Sequence, residues 1–221
     1  MDLVHTVYEP PGDGPHPTLL VLHGWGANAF DLLGLAPHLA AGRFLVLCPQ
    51  GPVQTPLGPG MTGYGWYPLI PGTPPKSQEL WTARERLLNF LDAAAERYPI
   101  DSKKLGVFGF SQGGVMAYTL ALGAPQRFAA LAALSTWCPP DAVDNVADPD
   151  TLHHLPTLVQ HGSRDELVAV ERARESVETL RALRLPLTYR EYDIGHEINA
   201  RSLADLSEWL RDNVISPVIA V

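Results

Sequence analysis

The segment LGVFGFSQGG, Leu105 to Gly114, sets a single serine, Ser111, between glycines where an apolar run meets a helix-forming one. A hydroxyl on so sharp a turn is pushed clear of the backbone, and the glycines at 109 and 113 remove side chains that would collide there. The first helical N–H groups point at the same spot, so an oxyanion forming beside Ser111 meets the amide of Gln112 and the positive end of the helix dipole. A serine hydroxyl attacks a carbonyl only when a base takes its proton, and that base is held in one tautomer by a carboxylate. Of the eight histidines, His153, His154, His161 and His196 follow Ser111. The carboxylates to weigh are Asp165 in GSRDELV, Glu166 beside it, and Asp193 in YDIGHEI, which reads as a cap on the turn leading to His196. Zinc chemistry does not fit the same residues. His196-Glu197 lacks a second histidine where Ala200 stands, and His153-His154 has no cysteine or carboxylate cluster around it and reads as a solvated loop. No metal and no cofactor is expected.

These residues must be carried by a repeating framework. Short β-type runs at Thr18–His23, Phe44–Pro49, Leu105–Phe110, Ala129–Ser135, Thr157–His161 and Leu187–Tyr192 alternate with helical stretches. Strands that are apolar throughout imply a parallel sheet covered on both faces. Ser77–Arg97 gathers Leu80, Leu87, Leu91 and Ala94 near one face, and Glu197–Val214 does so with Leu203, Leu206, Leu210 and Val214. Gly123 and Pro125 stop the run Gln112–Leu122, so a helix starts just after Ser111. Asp165 then lies on a loop past one strand, with His161 as that strand's own end, and His196 lies past the next.

Composition narrows the partners. The 221 residues suit one α/β domain over 1–221, and a net charge of −8 with no basic run excludes gripping a nucleic-acid backbone or an anionic bilayer. The longest apolar runs fall far short of the roughly 20 residues that span a membrane, so no stable membrane insertion is expected. The N-terminus has no basic start or apolar core of a secretory signal. Two cysteines, Cys48 and Cys138, read as free thiols, and the expected location is cytoplasmic.

The turn at Ser111 resembles the nucleophile elbow of α/β-hydrolases. That resemblance implies a mostly parallel central sheet with helices on both faces and a triad in the chain order serine, acid, histidine. Only His196 follows Asp165 in that order on the loop past the next strand. The fold also implies a second oxyanion donor from the loop after the first strand, where LLVLHGWGAN ends in His23-Gly24-Trp25-Gly26. Over nearly its whole length the chain resembles the phospholipase/carboxylesterase family, relatives of acyl-protein thioesterases. It does so through LHGWG at Leu22–Gly26, GFSQGG at Gly109–Gly114, HGSRDELV at His161–Val168 and GHEI at Gly195–Ile198. The resemblance implies Ser111 as nucleophile, Asp165 as acid, His196 as base, and the amides of Trp25 and Gln112 as the oxyanion hole. The family's acidic residue after the first His-Gly and its Trp-Phe-Asp are replaced here by GWGAN and GWYPL, departures that bear on substrate preference.

Specificity is read in the Pro/Gly-rich stretch Gln50 to Pro75, with Met61, Tyr64, Trp66, Tyr67, Leu69 and Ile70. Trp25, Trp66, Tyr67 and Leu69 are the candidate substrate-binding side chains. Such residues either line an acyl pocket or pin a long irregular loop onto the core. The link Thr136 to Leu155 holds about 20 residues, too few for a separate cap domain, so an open, wet site is expected. The expected partner is a small-molecule carboxylic ester of short- to medium-chain acyl length. A thioester or lysophospholipid would use the same residues, and a non-catalytic receptor would use the same fold. The C-terminal VISPVIAV is read as a packing strap or a homodimer contact.

Overall fold

A computed structural model describes residues 3–70, 72–146 and 149–216. The strands are β1 (His5–Tyr8), β2 (His16–Leu22), β3 (Leu45–Pro49), β4 (Val53–Gly58), β5 (Met61–Gly65), β6 (Ile100–Phe110), β7 (Ala130–Leu134), β8 (Thr157–Gly162) and β9 (Leu187–Tyr192). The α-helices are α1 (Ser77–Arg97), α2 (Gln112–Gly123), α3 (Pro140–Asp144), α4 (Val170–Ala182) and α5 (Ala200–Leu210). Seven strands form one sheet in the order β1-β3-β2-β6-β7-β8-β9, and β4 and β5 form a separate hairpin. Every pairing in the large sheet is parallel except that of β1 with β3.

The apolar strands are explained by what covers them. Successive residues of a strand face opposite sides, and here both sides are buried. Leu20, Leu22, Val107, Leu131, Ala133 and Val159 join a core with α1, α2 and α4. Leu19, Val21, Phe108, Ala132, Leu134 and Leu158 join a second core with Leu32, Ala36 and Leu39 and with Leu206 and Leu210 of α5. The fold is that of an α/β-hydrolase, as the sequence implies. Helix α2 is apolar on all sides, and every residue from Gln112 to Leu122 is buried, which places the elbow's helix in the middle of the molecule.

Three elements depart from the sequence reading. β1 is an added antiparallel edge strand whose four residues are half-buried. The stretch Gln50 to Pro75 is not irregular throughout, because it folds back as the hairpin β4–β5. The last helix starts at Ala200, not Glu197, because Asn199 caps it by accepting the amide of Ser202 at 2.9 Å, and residues 211–215 continue it as a π-turn. Val214 is buried in the second core, while the tail from residue 217 onward lies outside the described residues. Cys48 and Cys138 are unpaired. Among the described residues no helix is long and apolar enough to cross a membrane.

Candidate active site

The parallel strands end at one edge, and the candidate residues lie on the loops that leave it. Ser111 follows β6 directly with φ of +54°, a left-handed conformation that costs a non-glycine residue on the order of 1 kcal/mol or more. It is fixed from both sides. Its amide donates to Leu134 O at 2.9 Å, and its carbonyl accepts from Thr136 Oγ1 at 2.7 Å. The turn is also too crowded for side chains nearby. A methyl on Gly113 would lie 2.1 Å from Leu22 O, and one on Gly109 would lie 2.1 Å from Gly113 O. The close approach of α2 to the end of β2 therefore requires Gly113, and its approach to β6 requires Gly109.

Asp165 and His196 leave the ends of neighbouring strands, β8 and β9, and a tight contact brings their loops together. A methyl on Gly162 would lie 2.3 Å from Gly195 O, and Arg164 N donates to Ile194 O at 3.0 Å. His196 Nδ1 sits 2.7 Å from Asp165 Oδ2, and the Asp165 side chain is fully buried. Asp165 Oδ1 accepts the amides of Leu167 at 2.9 Å and Val168 at 2.8 Å. The His196 ring rests on Phe110, the residue before Ser111, with centroids 4.7 Å apart. Among the described residues no hydrogen bond joins the Ser111 hydroxyl to His196. Such contacts are commonly long in apo enzymes and tighten with substrate.

The rival carboxylates stand elsewhere. Glu166 is exposed. Asp193 is exposed too, and instead of capping the turn to His196 it pairs with Arg164 at 2.7 Å, bridging the two loops at their solvent side. His153 and His154 are exposed and stack on each other.

The loop after β2 reaches the same place. A methyl on Gly24 would lie 3.4 Å from Ser111 Cβ, so His23 to Ala27 borders the elbow. This loop is held by a network the sequence does not announce. His23 Nε2 accepts the Gly51 amide at 3.0 Å, so its Nδ1 carries the hydrogen and donates to Gly24 O at 2.7 Å. Burial pushes the His23 imidazole below its ordinary range, with the Gly24 bond and Asp31 opposing this in part. Trp66 Nε1 donates to His23 O at 2.9 Å. Gly26 N donates to Tyr64 O at 2.8 Å, and Tyr64 N donates to Ala27 O at 2.9 Å. The side chain of Gln112 accepts from Trp66 N and donates to Tyr67 O, both at 2.8 Å. Among the described residues neither the Trp25 nor the Gln112 amide donates a hydrogen bond; Gln112 follows Ser111 directly, and Trp25 follows Gly24, which borders it.

The Phospholipase/Carboxylesterase family model matches residues 4–214. The chain belongs to that family. Acyl-protein thioesterase 1 of Mycosarcoma maydis is 27% identical over 201 residues, covering 82% of this chain and 83% of its own. Among solved structures, the esterase PE8 superposes with a TM-score of 0.81 at 23% identity, covering 96% of this chain and 100% of its own. The Bacillus cereus carboxylesterase gives 0.78 at 22% identity, covering 95% and 93%. These likenesses show the fold, and family membership makes the protein a hydrolase of ester or thioester bonds.

Within this family member the candidate substrate-binding side chains divide. Trp25 and Leu69 are exposed, as are Leu57, Met61 and Ile70. Trp66 and Tyr67 are only 2% and 1% exposed. Of the two readings of this stretch, pinning to the core is the one their burial fits, because their backbone is clamped by Gln112 and their rings fill the interior. The residues that sequence reasoning passed over are His23, the Gln112 side chain and His161, whose Nε2 lies 3.3 Å from Asp165 Oδ2. The signal for His23 was the His-Gly pair itself; for the Gln112 side chain there was none, since its partners are 45 and 46 residues away.

Proposed function

We propose that the protein is a serine carboxylesterase that hydrolyses carboxylic esters of short- to medium-chain acids through an acyl-enzyme on Ser111. The observation that carries this reading is the 2.7 Å bond from His196 Nδ1 to buried Asp165, on a ring that rests against the residue preceding Ser111. With Nδ1 donating to the carboxylate, Nε2 is left as the base. His196 takes the Ser111 proton as the hydroxyl attacks the ester carbonyl, whose oxygen is received by the amides of Trp25 and Gln112. His196 next protonates the leaving alcohol. It then activates a water that attacks the acyl-serine, and the second oxyanion forms in the same hole. Asp165 keeps the imidazole in its tautomer and stabilises the imidazolium. Trp25 and Leu69 contact the acyl group from the exposed rim, and the two unpaired cysteines go with a cytoplasmic setting.

The relative named acyl-protein thioesterase favours a second reading, in which the same residues cleave a thioester. The test is hydrolysis of p-nitrophenyl esters from acetate to palmitate, beside thioesters of the same acids, by wild type and Ser111→Ala. The esterase reading expects turnover that peaks at one chain length and falls by on the order of 10⁴ in the variant. Faster cleavage of every thioester than of its matching ester would favour the second reading. Unchanged turnover in folded Ser111→Ala would refute both.

A further inference from the structure

Asp165 is surrounded by more donors than its histidine partner accounts for. Oδ1 takes the amides of Leu167 and Val168, and Oδ2 takes His196 Nδ1 at 2.7 Å and faces His161 Nε2 at 3.3 Å. The same Nε2 lies 2.8 Å from Val168 O. A carbonyl oxygen and an ionised carboxylate can only accept, so Nε2 must carry the hydrogen and divide it between the two. Nδ1, buried and without a partner among the described residues, is then the bare lone pair. The His161 ring is fully buried, and its backbone is locked in β8 opposite Glu191 of β9. This is a rigid N–H pointing from the sheet into the turn that holds Asp165.

We infer that His161 is a positioning residue for the acid. Its Nε2–H braces Oδ2 and, through Val168 O, the turn 165–168, so that His196 meets a carboxylate already oriented. The inference rests on the triad assigned above. The amides of Leu167 and Val168 hold Oδ1, but the last torsion of a carboxylate is soft, and without His161 the only side chain among the described residues that holds Oδ2 is the one that must itself gain a proton and become an imidazolium. The bracing therefore acts when charge develops on His196, and it affects kcat more than KM.

Three variants separate this from a merely structural role. Glutamine places an amide N–H about where Nε2 stands, asparagine places one where Nδ1 stands, and leucine places none. His161→Leu and His161→Asn are expected to lower kcat by about 10-fold or more with KM changed by less than about 2-fold, and His161→Gln to recover most of the rate. In an Asp165→Asn background the His161→Leu change is expected to have no further effect on kcat. Should leucine fail to fold, the glutamine and asparagine pair, both polar and similar in burial, decides the matter by their order. Equal kcat in those two, or a full additional loss in the Asp165→Asn background, overturns the inference. A wild-type rate in Asp165→Asn itself overturns the triad assignment instead.

Discussion

Replacing Gln112 tests how the site is held together. Among the described residues its side chain is the partner of two buried backbone groups, the Trp66 N–H and the Tyr67 C=O, on residues 2% and 1% exposed. Gln112→Met keeps the volume and removes both bonds. Each orphaned buried group costs about 1–3 kcal/mol, and taking about 1.5 kcal/mol for each, the variant is expected to lose about 3 kcal/mol. For a chain of this size that corresponds to a fall in Tm of about 6–12 °C. The loss also reaches the chemistry. Trp66 holds His23 O through its indole N–H, so loosening residues 66 and 67 frees the loop that bears the Trp25 amide. We expect kcat on p-nitrophenyl acetate to fall by about 10-fold or more, as when an oxyanion donor is misplaced. Thermal unfolding followed by circular dichroism, with kcat measured well below Tm, reads both effects. A Gln112→Met protein that melts with wild type and retains its kcat would refute the clamp.

Three further outcomes follow from the same geometry. Gly113→Ala is expected to yield no soluble folded protein in an expression and circular dichroism trial, because its methyl would sit 2.1 Å from the carbonyl of Leu22. His23 takes up a proton at lower pH when folded than when unfolded, because burial opposes its charge. Stability is therefore level above about pH 6.5 and declines below it, where the unfolded chain binds the proton first. Tm measured from pH 7.5 to 5 is expected to drop less in His23→Gln than in wild type. Burial pushes the Cys48 thiol up to about 12, so in the folded protein at pH 8 it is expected to leave Ellman's reagent unreacted and to react only after denaturation.

The parts of the molecule that announced themselves in the sequence are those whose chemistry and environment coincide along the chain. The turn at Ser111 was legible because a conformation with positive φ and two crowded glycines leaves a local record, and the inner parallel strands were legible because burial on both faces makes the central runs of β2, β3, β6 and β7 apolar. Asp165 and His196 were sorted by the loops they occupy, and the structure joins those loops through Gly162 and Gly195. What did not show was set by distant contacts. Strand β1 pairs along the sheet edge with four half-buried residues, so HTVY carries no apolar run. The hairpin β4–β5 hides in VQTPLG and MTGYG, where proline and glycine read as loop and the pairing partner is supplied by the chain's own return. Trp66 and Tyr67 look like rim residues in a Pro/Gly-rich stretch, yet Gln112 draws them inside from 45 residues away.

The hairpin also divides the protein into a part that evolution must leave alone and a part it is free to edit. From Tyr64 to Tyr67 the chain is stitched to Ala27, His23 and Gln112, and any change of register there would be felt at the elbow. The tip is different. A methyl at Gly58 or Gly60 would meet no atom within 4 Å, and Leu57 and Met61 stand in solvent. Gly58 and Gly60 stay glycine for their positive φ, whereas Leu57, which lies against Gly26 of the loop beside the elbow, and Met61 can change without disturbing how the serine is held, which makes these two side chains the natural place to build a library of altered substrate range.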